Sequence, residues 1–189
     1  MSPLFYLINM LLTLCVYLVI LRVWMQYTRV NYYNPCTQFI IKITQPVIGP
    51  LRKIIPSIGK IDTATLLVLY ILAVIKFIAI IKMYNTNAPN FNLQYLICGF
   101  YVILYSLGNL VFWMLLVRAI LSWISKGKSI LEEVLYQLTE PLIAPIRRVV
   151  PPIGNIDLSF MIFVFILIIL NMVCMNLFSP WWGIISFSR

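Results

Sequence analysis

Four stretches of about 20 apolar residues dominate this chain of 189 residues, and they limit its fold more than any other feature. They run from Leu4 to Met25, Thr65 to Ile81, Leu93 to Val117 and Leu158 to Phe178, rich in Leu, Ile, Val and Phe and free of acids. A hydrocarbon core about 30 Å thick takes about 20 residues of helix, because backbone groups in lipid must hydrogen-bond within their own segment. The lengths therefore predict an all-α membrane protein with four transmembrane helices. Composition agrees: 62% of residues are hydrophobic and 10% charged, where a soluble domain has about a quarter charged. The first stretch is read as a retained span and not a cleaved signal peptide, since no Lys or Arg precedes it and Arg22 and Arg29 lie on its far side.

Lys and Arg gather in two of the connections. The first carries Arg29, Lys42, Arg52, Lys53 and Lys60, with Arg22 at its edge; the third carries Lys126, Lys128, Arg147 and Arg148, with Arg118 at its edge. The N-terminal tail, the linker 85–92 and the tail 179–189 are poor in positive charge. The positive-inside rule then puts both basic connections on the cytoplasmic face and both termini outside. On that outer side Pro180-Trp181-Trp182 reads as an interfacial aromatic anchor. The net charge of +9 sits beside apolar spans, so anionic lipid is a nearer partner than nucleic acid, and no direct nucleic-acid binding is expected.

Laid over each other at an offset of 95, the two basic connections match. Thr44 to Asp62 reads TQPVIGPLRKIIPSIGKID and Thr139 to Asp157 reads TEPLIAPIRRVVPPIGNID, with ten of nineteen positions identical. Arg22 and Arg118 correspond once a one-residue gap is allowed. The repeat unit is thus span, amphipathic and proline-bounded connection, span, over residues 1–84 and 93–178, and two crossings per unit make the repeats parallel.

The second copy carries Arg118-Ala-Ile-Leu-Ser-Trp123, Leu138-Thr-Glu-Pro-Leu142, Pro145-Ile-Arg-Arg148 and Pro151-Pro-Ile-Gly-Asn-Ile-Asp157. With these motifs the whole chain resembles the YggT (YlmG) family in its two-repeat bacterial form. The resemblance implies a small bacterial inner-membrane protein with contexts in osmotic stress, cell-division gene neighbourhoods, nucleoid distribution and, in chloroplasts, maturation of a membrane cytochrome. It implies no defined reaction. Departures from the pattern are Arg22-Val-Trp-Met-Gln26 in the first copy, Ser129-Ile130 opposite Asn34-Pro35, and Lys60 and Asn155 at a usual glycine position.

The repeated motif marks the candidate site. Pro46, Pro50 and Pro56, with Pro141, Pro145 and Pro151 in the copy, each remove a backbone donor and restrict the preceding residue, which argues against one continuous helix. The segment is read as lying in the headgroup layer, or re-entrant, with Arg52, Lys53, Arg147 and Arg148 reaching phosphates or a partner; plain topology is the alternative use of that charge. Ahead of the prolines, Ser129 with Glu132 has the spacing of a capping box, and Ile130, Leu131, Val134, Leu135 and Leu138 share a face of an in-plane amphipathic helix. In the first copy Phe39, Ile40, Ile41 and Ile43 supply the apolar part after Asn34-Pro35 as cap and first turn. Gly59 and Gly154 allow a turn, after which Asp62 and Asp157 cap the next spans, alone or also paired with Arg22 or Arg118.

Within the spans, Lys76 and its counterpart Asn171 are candidate intramembrane polar residues. A Lys there either snorkels to the headgroups or marks a pathway. Asn109, Asn171 and Asn176 favour interhelical hydrogen bonds. Gly127-Lys128-Ser129 has Ser122 in place of the first phosphate-loop glycine, which argues against nucleotide.

There is no His, and Cys15, Cys36, Cys98 and Cys174 form no CxxC, so no catalytic residue, metal site or cofactor is expected. The expected function is a non-enzymatic organiser, or an assembly or stress-related factor, binding anionic phospholipids and a membrane-protein partner through the duplicated basic loops. The competing expectation is a small oligomeric channel or transporter for ions or osmolytes.

Overall fold

Each apolar stretch folds as the helix its length dictates, and each basic connection folds as one more. The computed structural model describes residues 3–55, 57, 62–84, 93–125, 129–150, 158–178 and 183–185. In chain order the helices are α1 (Pro3–Thr28), α2 (Pro35–Ile54), α3 (Thr63–Tyr84), α4 (Gln94–Ser125), α5 (Ile130–Val149) and α6 (Leu158–Leu177). Among them α1, α3, α4 and α6 are long and apolar enough to cross a membrane. The expectations for Pro56, Gly59, linker 85–92, Gly127, Lys128, Pro151, Gly154, Asp157 and Pro180–Trp182 lie outside the described residues.

The connecting helices correct the expectation drawn from the prolines. Pro46 and Pro50 lie inside α2, and Pro141 and Pro145 inside α5. A mid-helix proline costs about 3 kcal/mol by losing a hydrogen bond and crowding the preceding turn. Here the two prolines of each helix are four residues apart and exposed, so both lost bonds fall on one outer side. Gly49, which has no Cβ, precedes Pro50 and relieves the clash with the preceding residue there. On the opposite side Ile40, Thr44 and Ile48 of α2 and Leu135, Thr139 and Ile143 of α5 are buried, and that packing holds the helices together.

The helix starts differ. The Asn34 side chain accepts from the Cys36 backbone N–H at 3.0 Å with Pro35 in the first turn, as the sequence predicts. Ser129 holds the matching position of α5 but its side chain makes no capping hydrogen bond, so it does not close the expected box. The buried face of α5 is also rotated from the expected one: Val134, Leu135 and Leu138 are buried, while Ile130 and Leu131 are exposed. In α2, Phe39 and Ile43 face outward and Ile40 inward.

The core is built on α3, which packs on α1 and α4; 56% of its apolar window is buried, against 0% for α6 at the periphery. Val16 and Ile20 of α1, Val68 and Leu69 of α3, and Met114 and Leu115 of α4 join the buried faces of α2 and α5 in one cluster. A second cluster at the other end joins Phe77 of α3 to Tyr95, Cys98 and Val102 of α4 and to Ile185. Beside this second cluster α3 and α4 approach closely: a Cβ on Gly99 would stand 2.5 Å from Val74 Cγ2. The repeats are further tied by Trp24 Nε1 donating to the Leu138 carbonyl at 3.1 Å and Tyr70 Oη to the Leu96 carbonyl at 2.9 Å. Both connecting helices thereby pack together at one end of the bundle.

Candidate functional site

An arginine near the end of the leading span anchors each connecting helix. In the first repeat Arg22, 5% exposed, donates through Nη1 to Thr44 Oγ1 at 2.6 Å and to the Ile41 carbonyl at 3.3 Å, and through Nη2 to Gln45 Oε1 at 2.8 Å. In the second, Arg118 donates to Thr139 Oγ1 at 2.6 Å and Glu140 Oε2 at 3.2 Å, with its guanidinium 4.6 Å from the centre of the Tyr136 ring. Each threonine hydroxyl in turn donates to the carbonyl four residues back, Ile40 or Leu135, at 2.7 Å. A planar guanidinium with five donors suits such convergent acceptors. Sequence reasoning singled out both arginines but assigned no role to Thr44, Gln45, Thr139 and Glu140. The signal lay in the repeat itself, where the threonine is identical and its neighbour changes from amide to acid.

Asp62 caps α3, its carboxylate accepting from the Thr65 backbone N–H at 3.4 Å and from the Thr65 hydroxyl. Its ion-pair partner is Arg52, whose Nε donates at 2.8 Å, and not Arg22 as the shared membrane level suggested. Burial pushes the Asp62 carboxyl up, but hydrogen bonds from Arg52 and Thr65 outweigh it and hold the group below its ordinary value. In the second repeat Arg147 turns back along α5 to Glu140 Oε1 at 2.8 Å, so Glu140 bridges Arg147 and Arg118. The four basic residues expected to reach outward are therefore of two kinds. Arg52 and Arg147 are tied into the fold, whereas Lys53 and Arg148 are exposed with no ion pair among the described residues.

Lys76 does not snorkel. It is 4% exposed and lines a cavity of about 250 Å³ with Asn9, Thr13, Tyr17, Tyr105 and Asn109. It makes no hydrogen bond or ion pair among the described residues. The inner turns of α3 are enclosed by α1 and α4, which blocks the route a long side chain needs to reach a headgroup. Its counterpart Asn171 is exposed on α6 and lines a neighbouring cavity of about 290 Å³, with Tyr105 and Asn109 shared between the two. Asn109 donates to Tyr17 Oη at 2.6 Å, the interhelical bond its type predicts.

Four spans, two parallel repeats and a pair of arginine-anchored helices at one end define a multi-pass helical membrane protein built by duplication. The chain belongs to the CCB3/YggT family, whose family model matches residues 1–83 and 98–178, one segment for each repeat. It is 46% identical over 182 residues to the "Uncharacterized protein in proC 3'region" of Vibrio alginolyticus, covering 96% of this chain and 98% of that one. It is also 46% identical over 172 residues to "Uncharacterized protein YggT" of Escherichia coli (strain K12), covering 91% of this chain and 89% of the relative. An "Uncharacterized protein" of Haemophilus influenzae is 39% identical over 175 residues, 93% of each chain. No solved structure matches.

Proposed function

We propose that the protein is a non-enzymatic membrane organiser, an assembly or stress-related factor, whose working surface is the end of the bundle formed by α2 and α5. The observation that carries this reading is the packing of α2 against α5 with Lys53 and Arg148, the last basic residue of each helix, exposed and unpaired among the described residues. Exposed positive charge on two neighbouring helices suits anionic headgroups and an acidic membrane-protein partner, with attraction of about 1 kcal/mol per basic side chain. The positive-inside rule orients this end toward the cytoplasm of a bacterial inner membrane, with both termini periplasmic. The test is purification in native-lipid nanodiscs, followed by mass spectrometry of what travels with the wild type and with Lys53→Glu/Arg148→Glu. Arg52 and Arg147 are left intact because their ion pairs belong to the fold. A protein partner recovered with the wild type and lost with the variant is expected; equal recovery with normal insertion overturns the reading.

The cavity around Lys76 favours a second reading, a small oligomeric channel or transporter for ions or osmolytes. An unpaired intramembrane cation beside Asn109 and Tyr105 is a natural lining for an anion path. Proteoliposome flux that is unchanged by Lys76→Met would end that reading.

A further inference from the structure

We propose that the first repeat holds a binding site for a phosphate-type oxyanion in the hollow between the end of α1 and the helix α2. The site extends the lipid-facing part of the function proposed above to a separate set of residues, and it stands whether or not the exposed end of the bundle recruits a partner.

The hollow encloses about 1100 Å³ and is lined by Arg22, Arg29, Lys42 and Arg52 together with Thr37 and Gln38. α2 carries no acid. Asp62 answers Arg52, and among the described residues no carboxylate comes within ion-pair reach of Arg22, Arg29 or Lys42. Arg22 is the decisive member, because it is nine-tenths buried and all of its acceptors, Ile41, Thr44 and Gln45, are neutral. A buried guanidinium without an ion-pair partner is costly, and its fork of donors matches a tetrahedral oxyanion.

Two further observations converge on the same space. Thr37 is 3% exposed, and its hydroxyl has no hydrogen-bond partner, although Thr44 on the same helix bonds back to its own backbone. A buried hydroxyl left unmade is a donor waiting for an acceptor. Arg29 has a φ of 54°, and Val30 N–H bonds to the Met25 carbonyl at 3.2 Å, the geometry of a helix end that glycine normally takes. An arginine there costs about 1 kcal/mol of backbone strain, and it sets a cation at the rim of the hollow.

The second repeat serves as an internal control. At the offset of 95, Thr37, Gln38 and Gln45 stand opposite Glu132, Glu133 and Glu140. Where the first repeat presents neutral acceptors to its arginine, the second presents the acid Glu140, which fills the place of the anion for Arg118 and Arg147. The two copies thus differ in acid content at the positions that face the hollow.

A lipid headgroup phosphate and free inorganic phosphate share this chemistry, and two arms separate them. Full-length protein in a phosphate-free sugar detergent is titrated with inorganic phosphate by calorimetry; in parallel, phosphatidylglycerol is added and retained lipid is counted by native mass spectrometry. Saturable phosphate binding supports the site with a free anion as ligand, and retained lipid without phosphate binding supports it with a headgroup. Gln45→Glu supplies Arg22 with an internal counter-ion and is expected to weaken binding at least tenfold. Thr37→Val, which removes a hydroxyl that bonds to nothing in the fold, keeps the test independent of any folding defect and is expected to weaken binding several-fold. A tenfold loss in the first variant or a several-fold loss in the second supports the site. No saturable binding in either arm, or wild-type affinity in both variants, overturns it. Lys53→Glu/Arg148→Glu reports only on recruitment, so the two ideas fail separately.

Discussion

Arg22 and Arg118 each donate to a threonine midway along the connecting helix, but the next residue is Gln45 in one repeat and Glu140 in the other. That difference decides whether the anchoring guanidinium meets a carboxylate. The second repeat supplies its anchor with an internal acid: Glu140 holds Arg118 on one oxygen and Arg147 on the other. The first leaves its span arginine with neutral partners, and Arg52 finds an acid only after the helix has ended, at Asp62. The two copies thus share the anchor that positions the helix and differ in whether its guanidinium meets a carboxylate. The spans have diverged in the same spirit, since α3 sits in the core and its counterpart α6 at the periphery.

The comparison breaks most readily at the amide–acid pair. Glu140→Gln removes the carboxylate from two guanidiniums and is expected to cost about 2 kcal/mol, kept modest because Arg118 and Arg147 retain 16% and 30% exposure. Gln45→Glu is expected to have the opposite sign, a gain of about 1 kcal/mol, because Gln45 is exposed and a carboxylate there loses little hydration while meeting a buried cation. Thermal unfolding in nanodiscs reads both, and equal signs would dissolve the distinction between the repeats.

Next in size is Asp62→Asn, which weakens the cap of α3 and releases Arg52, with an expected loss of about 1–2 kcal/mol. Because the folded state holds the carboxyl below its ordinary value of 3.8, its contribution is present above that pH and disappears as pH falls through the lowered value. The variant's unfolding midpoint is therefore expected to approach that of the wild type in strong acid and to differ most at neutral pH; a constant difference across that range would separate the loss from the ion pair. The smallest contrast lies at the caps. Asn34→Ala is expected to cost about 1 kcal/mol and Ser129→Ala close to nothing, since only the first side chain bonds to its helix.

Much of this architecture is legible in the sequence for a plain reason: a membrane enforces length and apolarity on every span, and a duplication at fixed offset displays what it has kept. The four spans, the Asn34-Pro35 start of α2 and the Asp62 cap all follow from such local rules. The continuity of α2 and α5 through their prolines does not, because it depends on packing by Ile40, Thr44 and Ile48 of α2 and by Leu135, Thr139 and Ile143 of α5. Lys76 illustrates the same limit, since hydropathy gives a residue's depth while its enclosure depends on which helices surround α3. Asp62 and Arg22 likewise share a level without being partners, and distance is a tertiary property.

The arginine anchors also bear on the order in which the chain is put together. Arg22 reaches Thr44 across 22 residues and Arg118 reaches Thr139 across 21, whereas Trp24 must wait for Leu138, 114 residues further on. Chains emerge N-terminus first, and short loops close at lower entropic cost than long ones. The first anchor is complete as soon as its helix has left the ribosome, before any of the second repeat exists. By the same ordering the Tyr70–Leu96 tie between the halves closes early, across 26 residues, and the Trp24–Leu138 tie closes last.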